Sequence, residues 1–338
     1  MNEKILVIQT AFPGDAILTL PLIQELYVLF NNSQIDVICI PATAEIFSAS
    51  PFVNKVIILD KKNSHKLLFS IIHFSKQIKK EKYNKVFTPH RSFRTSLIVL
   101  LSGIKDSTGF DISSISFIYA NKIKYETKFH EVERNLRLIS NYKNIINWNI
   151  LPVVKAGFES HKKVEEYLTQ FNTQKLAAVA PGSVWQTKIY PEEYYNKVIS
   201  FLLSSGFTVV LIGGKSDSNV CDKIATLFEK NVISAAGKFS IVESIELLKK
   251  CELLVCNDSA PSHMAMSADI PAITIYCSTV PSFGFYPYNE KSSYVSFDNL
   301  ECKPCGIHGH NKCPIKTFDC GWKLLPENVI EKIEEIIK

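Results

Sequence analysis

What this 338-residue sequence lacks narrows its class first. Glycine (13) and proline (15) are too sparse for a collagen-like or low-complexity chain, and no internal repeat is present. No apolar run approaches the ~20 residues that span a bilayer. Met1-Asn-Glu-Lys leads straight into the strand-like Ile5-Leu-Val-Ile8, with no leader segment. The expectation is a cytoplasmic chain whose nine cysteines are reduced thiols or metal ligands, since disulfides belong to oxidising compartments. Positive charge is also scarce: 38 basic against 33 acidic residues leave +5. That excess, without basic–aromatic interleaving, gives no footprint for nucleic acid. It does suit an anionic substrate or an anionic membrane surface.

What is present reads as alternating strands and helices, in a length that suggests two domains. The most informative stretch is Val255-Cys-Asn-Asp-Ser-Ala-Pro-Ser-His263. Leu253 to Cys256 has strand length, Asn257 to Ser259 offer turn and N-cap chemistry, and Pro261 suits a first helical turn. A strand entering a helix N-terminus is where open α/β sheets bind phosphate, and His263 lies in that first turn. A plain capped βαβ unit with a surface histidine fits the same residues.

Along the chain, Lys4–Gln9 reads as a strand, Ala16–Phe30 as a helix and Ile35–Ile40 as a second strand, a βαβ unit with Gly14-Asp15 at its ligand edge. The G-x-G-x-x-G spacing of a dinucleotide site is absent. Asp15 fits either a helix cap or a general base. A helix over His65–Lys82 carries a basic tail (Lys76, Lys79, Lys80, Lys82), either a solvated end that complements the helix dipole or a membrane-facing patch. After the strand Lys85–Thr88, the loop Pro89-His-Arg-Ser-Phe-Arg94 holds Arg91 and Arg94, either surface residues or a bidentate clamp for phosphate or carboxylate. A long helix is expected from Lys128 to near Tyr142. The aperiodic Asn144–Val153 marks the domain boundary, giving domains 1–153 and 154–338. In the second half, the loop Pro181–Lys188 follows a strand with Gly182, Ser183, Thr187 and Lys188 as phosphate-binding candidates, although the P-loop spacing is missing.

Five motifs taken together, Ile5–Ile8 with Gly14-Asp15, His130-Glu-Val-Glu-Arg134, Pro181-Gly-Ser183 with Thr187-Lys188, Ala236-Gly-Lys238, and Asn257-Asp-Ser259 with His263, resemble glycosyltransferase family 9. These are the ADP-heptose:lipopolysaccharide heptosyltransferases, and the resemblance runs from residue 4 to about residue 335. It implies an α/β protein of GT-B architecture: two Rossmann-like domains facing across a cleft, the first binding acceptor, the second binding nucleotide sugar. The helix 325–338 would cross back to the first domain. The implied reaction transfers heptose from ADP-L-glycero-D-manno-heptose to the inner core of a lipid A–core oligosaccharide, with inversion and no required cofactor. Peripheral contact with the cytoplasmic face of the inner membrane goes with such an acceptor. The resemblance makes Asp15 the base and Lys188 the partner of the leaving diphosphate. Gly182, Ser183, Thr187, Glu243, Asp258, Ser259, Ala260 and His263 fall to the donor, and Gly14, Arg91 and Arg94 to the acceptor. The chain departs from the family pattern at Pro13, where an aliphatic residue is usual, and at Ala260, where a glycine is usual.

Cys302-x2-Cys305-x7-Cys313-x6-Cys320 completes the inventory. Structural zinc, structural iron, or four thiols packing a loop all fit this spacing. Relatives that modify autotransporter proteins hold iron in such a cluster, which keeps a protein acceptor open as an alternative. A member using another nucleotide sugar, and a non-catalytic nucleotide-binding protein, are the other readings.

Overall fold

Short apolar runs separated by helical periodicity fold into two sheets, each wound by helices. The computed structural model describes residues 3–171, 175–228 and 231–338. The chain divides into two compact units, Met1–Lys155 and Ala156–Lys338.

The first unit runs β1 (Lys4–Ile8), α1 (Pro13–Leu29), β2 (Gln34–Cys39), α2 (Ala44–Ser48), β3 (Lys55–Ile58), α3 (Leu68–Lys80), β4 (Lys85–Thr88), α4 (Phe93–Ser102), β5 (Asp106–Phe110), β6 (Asn121–Ile123) and α5 (Glu131–Arg137). Its six strands lie in the order β3-β2-β1-β4-β5-β6, and all pair in parallel. Parallel strands are covered on both faces, which is why β1 reads as an unbroken apolar run. Leu6, Ile8, Ile38, Phe74, Ile78, Val86 and Ile98 build the core between this sheet and α3 and α4.

The second unit runs α6 (Phe158–Leu168), β7 (Leu176–Ala180), α7 (Glu192–Ser204), β8 (Thr208–Leu211), α8 (Ser218–Leu227), β9 (Val232–Ser234), α9 (Ile241–Leu248), β10 (Leu253–Asn257), α10 (Ala260–Ala268), β11 (Ala272–Tyr276), β12 (Ser293–Ser296), α11 (Asp319–Trp322) and α12 (Pro326–Ile337). Its strand order, β12-β11-β10-β7-β8-β9, repeats the first with parallel pairing throughout. The class read from the sequence, α/β with two Rossmann-like units, holds.

In such sheets the strand order reverses direction at one point, and the crevice beyond the strand ends there is the ligand edge. That point lies between β1 and β4 in the first unit and between β7 and β10 in the second. The expected helix from Lys128 to near Tyr142 is shorter: α5 ends at Arg137 and the chain turns over Leu138–Ser140. The closing helix, expected to return to the first domain, packs on α7, β11 and β12 of its own unit. Among the described residues no helix is long and apolar enough to cross a membrane.

Candidate active site

At the ligand edge of the first unit, β1 ends in Gln9-Thr10 and α1 begins at Pro13. Asp15 sits in the first turn of α1, and its Oδ2 accepts a hydrogen bond from the Phe12 N–H at 3.2 Å. Gly14, beside it, lets the chain pass into the helix without a side chain at the edge. The Asp15 carboxyl is raised from 3.8 to about 6, first by burial and then by the Glu131 carboxylate; the Phe12 N–H and Arg91 pull the other way. A carboxyl so placed is mostly ionised at neutral pH yet markedly more basic than one in water.

From β4 comes the loop that carries His90 and Arg91. His90 Nδ1 lies 2.9 Å from the hydroxyls of both Thr10 and Thr95, tying the β1 and β4 loops together. Burial, helped by Lys61 and Arg91, lowers this imidazole to about 4, so it is neutral at pH 7. The Arg91 guanidinium lies 4.0 Å over the Tyr125 ring. Arg134 donates to Glu131 Oε2 at 2.9 Å and to the Tyr125 hydroxyl at 3.1 Å, and Tyr125 donates to the same carboxylate at 3.1 Å. Arg94 points elsewhere: it lines a pocket of about 440 Å³ with Lys61, Lys66, His90, Ser92, Leu68 and Phe93. Thus the structure brings Arg91 and Asp15 to one place and sets Arg94 in an adjoining cationic hollow.

Sequence reasoning missed Lys61, Lys66 and Tyr125, which come from loops without a motif. Glu131 and Arg134 stood within a recognised motif, and their i,i+3 spacing on a short helix was the available signal.

At the ligand edge of the second unit, Asn257 is fully buried at the end of β10. Its side chain accepts from the Tyr190 N–H at 3.0 Å and donates to the carbonyls of Pro181 and Gly182 at 2.8 and 3.2 Å. It therefore fastens the 181–190 loop to the turn before α10, a role beyond the turn-forming one its type suggests. Lys188 Nζ is held 2.6 Å from Asp258 Oδ2, and the same oxygen accepts from Thr279 at 2.7 Å. Ser259 is the N-cap residue of α10, and Ala260 and Pro261 open the helix. His263, one turn in, is buried and lowered to about 4, first by burial, with the Lys188 charge adding to it against Asp258. Among the described residues its Nδ1 has no hydrogen-bond partner.

The remaining donor-side candidates are engaged in particular ways. A Cβ at Gly182 would collide with the Asp217 carboxylate, so the close approach this glycine permits is to Asp217, which itself accepts from the Gly214 N–H at 2.8 Å. Ser183 accepts from the Trp185 N–H at 3.4 Å. Glu243 closes a capping box on α9, accepting from the Ser240 N–H at 2.8 Å, and pairs with Lys163 at 2.7 Å.

Thr187 is buried, and its hydroxyl accepts from the His310 N–H at 2.8 Å and lies 3.0 Å from Ser278 Oγ. It pins the cysteine-bearing loop to the residue before Lys188. Thr187→Val is expected to lower stability by about 1–3 kcal/mol, the cost of leaving buried polar groups unpaired. Thr187→Ser is expected to keep most of it, and thermal unfolding of the two variants checks both.

For Cys302, Cys305, Cys313 and Cys320 the sequence left structural zinc, structural iron and a thiol-packed loop as alternatives. Among the described residues no group of three or more His, Cys, Asp or Glu side chains is arranged to hold a metal ion. The four sulfurs lie within electrostatic reach of one another, Cys302 and Cys313 adding to burial in raising the Cys305 thiol, but their settings differ. Cys320 is buried in the core of the second unit, and its thiol is pushed up to about 11, chiefly by burial. Cys305 donates to the Cys302 carbonyl at 3.2 Å, and Cys313 Sγ takes backbone N–H groups from residues 315–318.

A sequence model of glycosyltransferase family 9 (heptosyltransferase) matches residues 71–314. The chain is 24% identical to lipooligosaccharide heptosyltransferase 2 of Haemophilus influenzae over 356 aligned positions, covering 99% of each. The crystal structure of a family 9 glycosyl transferase from Veillonella parvula superposes with a TM-score of 0.88 at 22% identity, over 99% of this chain and 97% of that one. ADP-heptose LPS heptosyltransferase II of E. coli gives 0.80 at 19% identity, over 99% and 98%. The fold is thus that of these enzymes, GT-B, with two Rossmann-like α/β units.

Proposed function

The chain belongs to glycosyltransferase family 9 (heptosyltransferase), a family of glycosyltransferases, and we propose that it transfers heptose from ADP-L-glycero-D-manno-heptose to the inner core of lipopolysaccharide, with inversion. The observation that carries this reading is Asp15, a carboxyl at the ligand edge of the first unit, raised to about 6 by burial and Glu131. A base of that strength suits removal of a sugar hydroxyl proton near neutral pH.

In the proposed reaction the acceptor hydroxyl gives its proton to Asp15, and its oxygen attacks the anomeric carbon of heptose. The bond from that carbon to the diphosphate oxygen breaks, and ADP leaves with the electron pair. Negative charge grows on the departing diphosphate. Lys188 and the N-terminus of α10 are the groups placed to meet it. Asp258, which also accepts from Thr279, holds Lys188, and the neutral His263 offers its Nδ1, unpartnered among the described residues, as a further contact. Gly182, Ser183, Ser259 and Ala260 give the backbone around the phosphates, and Glu243 reaches the ribose. Arg91, beside Asp15, and Arg94, in the adjoining cationic pocket, take acidic groups of the acceptor, with Gly14 leaving room for it. The acceptor is lipid-borne, so the reading places the enzyme at the cytoplasmic face of the inner membrane.

The test is ADP release by purified protein given ADP-L-glycero-D-manno-heptose, with and without truncated lipid A–core acceptors. Acceptor-dependent release is the expected result. Tight ADP binding with no release on any such acceptor would sink the heptose or acceptor assignment, and a panel of other nucleotide sugars would follow.

A further inference from the structure

The first unit leaves an unusual amount of apolar surface in water on one side. Helix α4 buries Ile98 and Val99 against the sheet and packs Leu97 at the core's margin, but turns Phe93 and Leu100 outward, two turns apart on one side. Phe93 and Leu100 are each 53% exposed. Helix α3 packs on α4, and at its start Leu67, Leu68 and Phe69 stand in succession, with Phe69 81% exposed. The 116–118 turn also packs on α4, and its Phe117 is 80% exposed. Scattered exposed apolar residues need no explanation, but a rimmed cluster of large ones marks an interaction surface.

The rim is cationic. Leu68 and Phe93 line the same pocket as Lys61, Lys66 and Arg94. Among the described residues none of these three cations forms an ion pair with a carboxylate: Lys61 donates to the Thr10 carbonyl at 2.7 Å, and Arg94 to the Lys66 carbonyl at 3.4 Å. Lys61 is itself depressed below the usual ammonium range by burial and by Arg94, as expected where positive charge gathers without an anion. Lys76, Lys79 and Lys80 continue the positive charge along exposed positions of α3.

We infer that this face, Leu67–Phe69 with Phe93, Leu100 and Phe117, docks onto an anionic lipid bilayer. Large apolar side chains enter the headgroup–acyl boundary while the uncompensated cations meet lipid phosphates, the combination by which peripheral proteins read a negative membrane. Charge complementarity favours this occupant over a second copy of the chain, whose same face would bring like charges together. The inference rests on the reading above, which puts the enzyme at a membrane, and deepens it by naming the face that meets the lipid.

The experiment is co-flotation of the full chain with phosphatidylcholine vesicles with and without a roughly one-third share of phosphatidylglycerol, in the absence of any donor sugar. Binding is expected only to the anionic vesicles and should weaken at high salt. Phe69→Ser and Phe117→Ser are each expected to cut partitioning about tenfold, and Lys66→Glu about fivefold or more. The two phenylalanine variants should keep the parent melting temperature and full turnover on a water-soluble, deacylated acceptor. Equal binding to neutral vesicles, or variants that float like the parent, would overturn the inference. So would a concentration-dependent dimer abolished by Phe69→Ser in a chain that ignores vesicles. Loss of ADP release with vesicle binding intact would count against the proposed function alone.

Discussion

Replacing Asp15 by Asn is expected to remove turnover while making the protein more stable. The structure places this carboxyl where burial and Glu131 raise it from 3.8 to about 6. A carboxyl whose folded value exceeds its unfolded one binds a proton more tightly in the native state. Its stabilising contribution is therefore complete below about pH 4 and is lost as pH rises to about 6, after which the native fold carries a strained carboxylate. The difference between 3.8 and about 6 corresponds to roughly 2–3 kcal/mol at neutral pH. Asn has no charge to desolvate and can still accept the Phe12 N–H, so Asp15→Asn should recover much of that amount in denaturant unfolding at pH 7.5 and little at pH 4. On turnover the same change is expected to cost about 10²- to 10⁴-fold. In the parent, kcat/KM should climb about tenfold per pH unit below 6 and level off above it. Asp15→Asn with parent turnover would remove the base assignment; loss of turnover with no gain in stability would show that the carboxyl is not held under strain.

The parts of the fold that could be read from the sequence are those where burial on both faces leaves a mark. β1, β7, β10 and β11 are five-residue strands that are apolar in all but at most two positions, and their ends carried the recognisable turns. β5, with Asp106-Ser-Thr-Gly before Phe110, and β12, with Ser293-Tyr-Val-Ser, sit beyond the sheet centre and tolerate polar residues, so they gave no signal. Helix α4 was missed for the opposite reason. Its segment from Leu97 to Leu101 is apolar on every side, so no polar face revealed a helical period, and the side left in water is the one now read as a docking face. At the site, Asp15, Lys188, Asp258 and His263 were legible because each sits at a strand-to-helix junction. The partners that set their chemistry were not: Glu131 lies 116 residues from Asp15, and Thr279 reaches Asp258 across a neighbouring loop. Side chains that meet only after the sheet is wound leave no spacing to read. The cysteine cluster is a case where spacing did foretell proximity, since Cys302, Cys305, Cys313 and Cys320 come within electrostatic reach of one another, although among the described residues no three of them are arranged to hold a metal.

Lys188→Met should damage both stability and turnover, and a second substitution should separate the two. Lys188 and Asp258 are 2.6 Å apart, each with only about a tenth of its side chain exposed. Removing one partner of such a pair leaves the other charge poorly solvated, which costs about 3–5 kcal/mol when burial is complete. The residual exposure here, together with the Thr279 hydroxyl on Asp258, brings the expected loss to about 2–3 kcal/mol. Turnover should fall about 10²- to 10³-fold, the usual scale for losing a group aimed at developing charge. Adding Asp258→Asn removes the stranded carboxylate, so Lys188→Met/Asp258→Asn should return to within about 1 kcal/mol of the parent in urea unfolding. Its turnover should stay low, because the cation remains absent. If the double variant regained turnover along with stability, Lys188 would be no more than a counter-ion for Asp258. If neither variant lost turnover, the diphosphate would have to be neutralised elsewhere, and the α10 N-terminus with His263 would be the next residues to change.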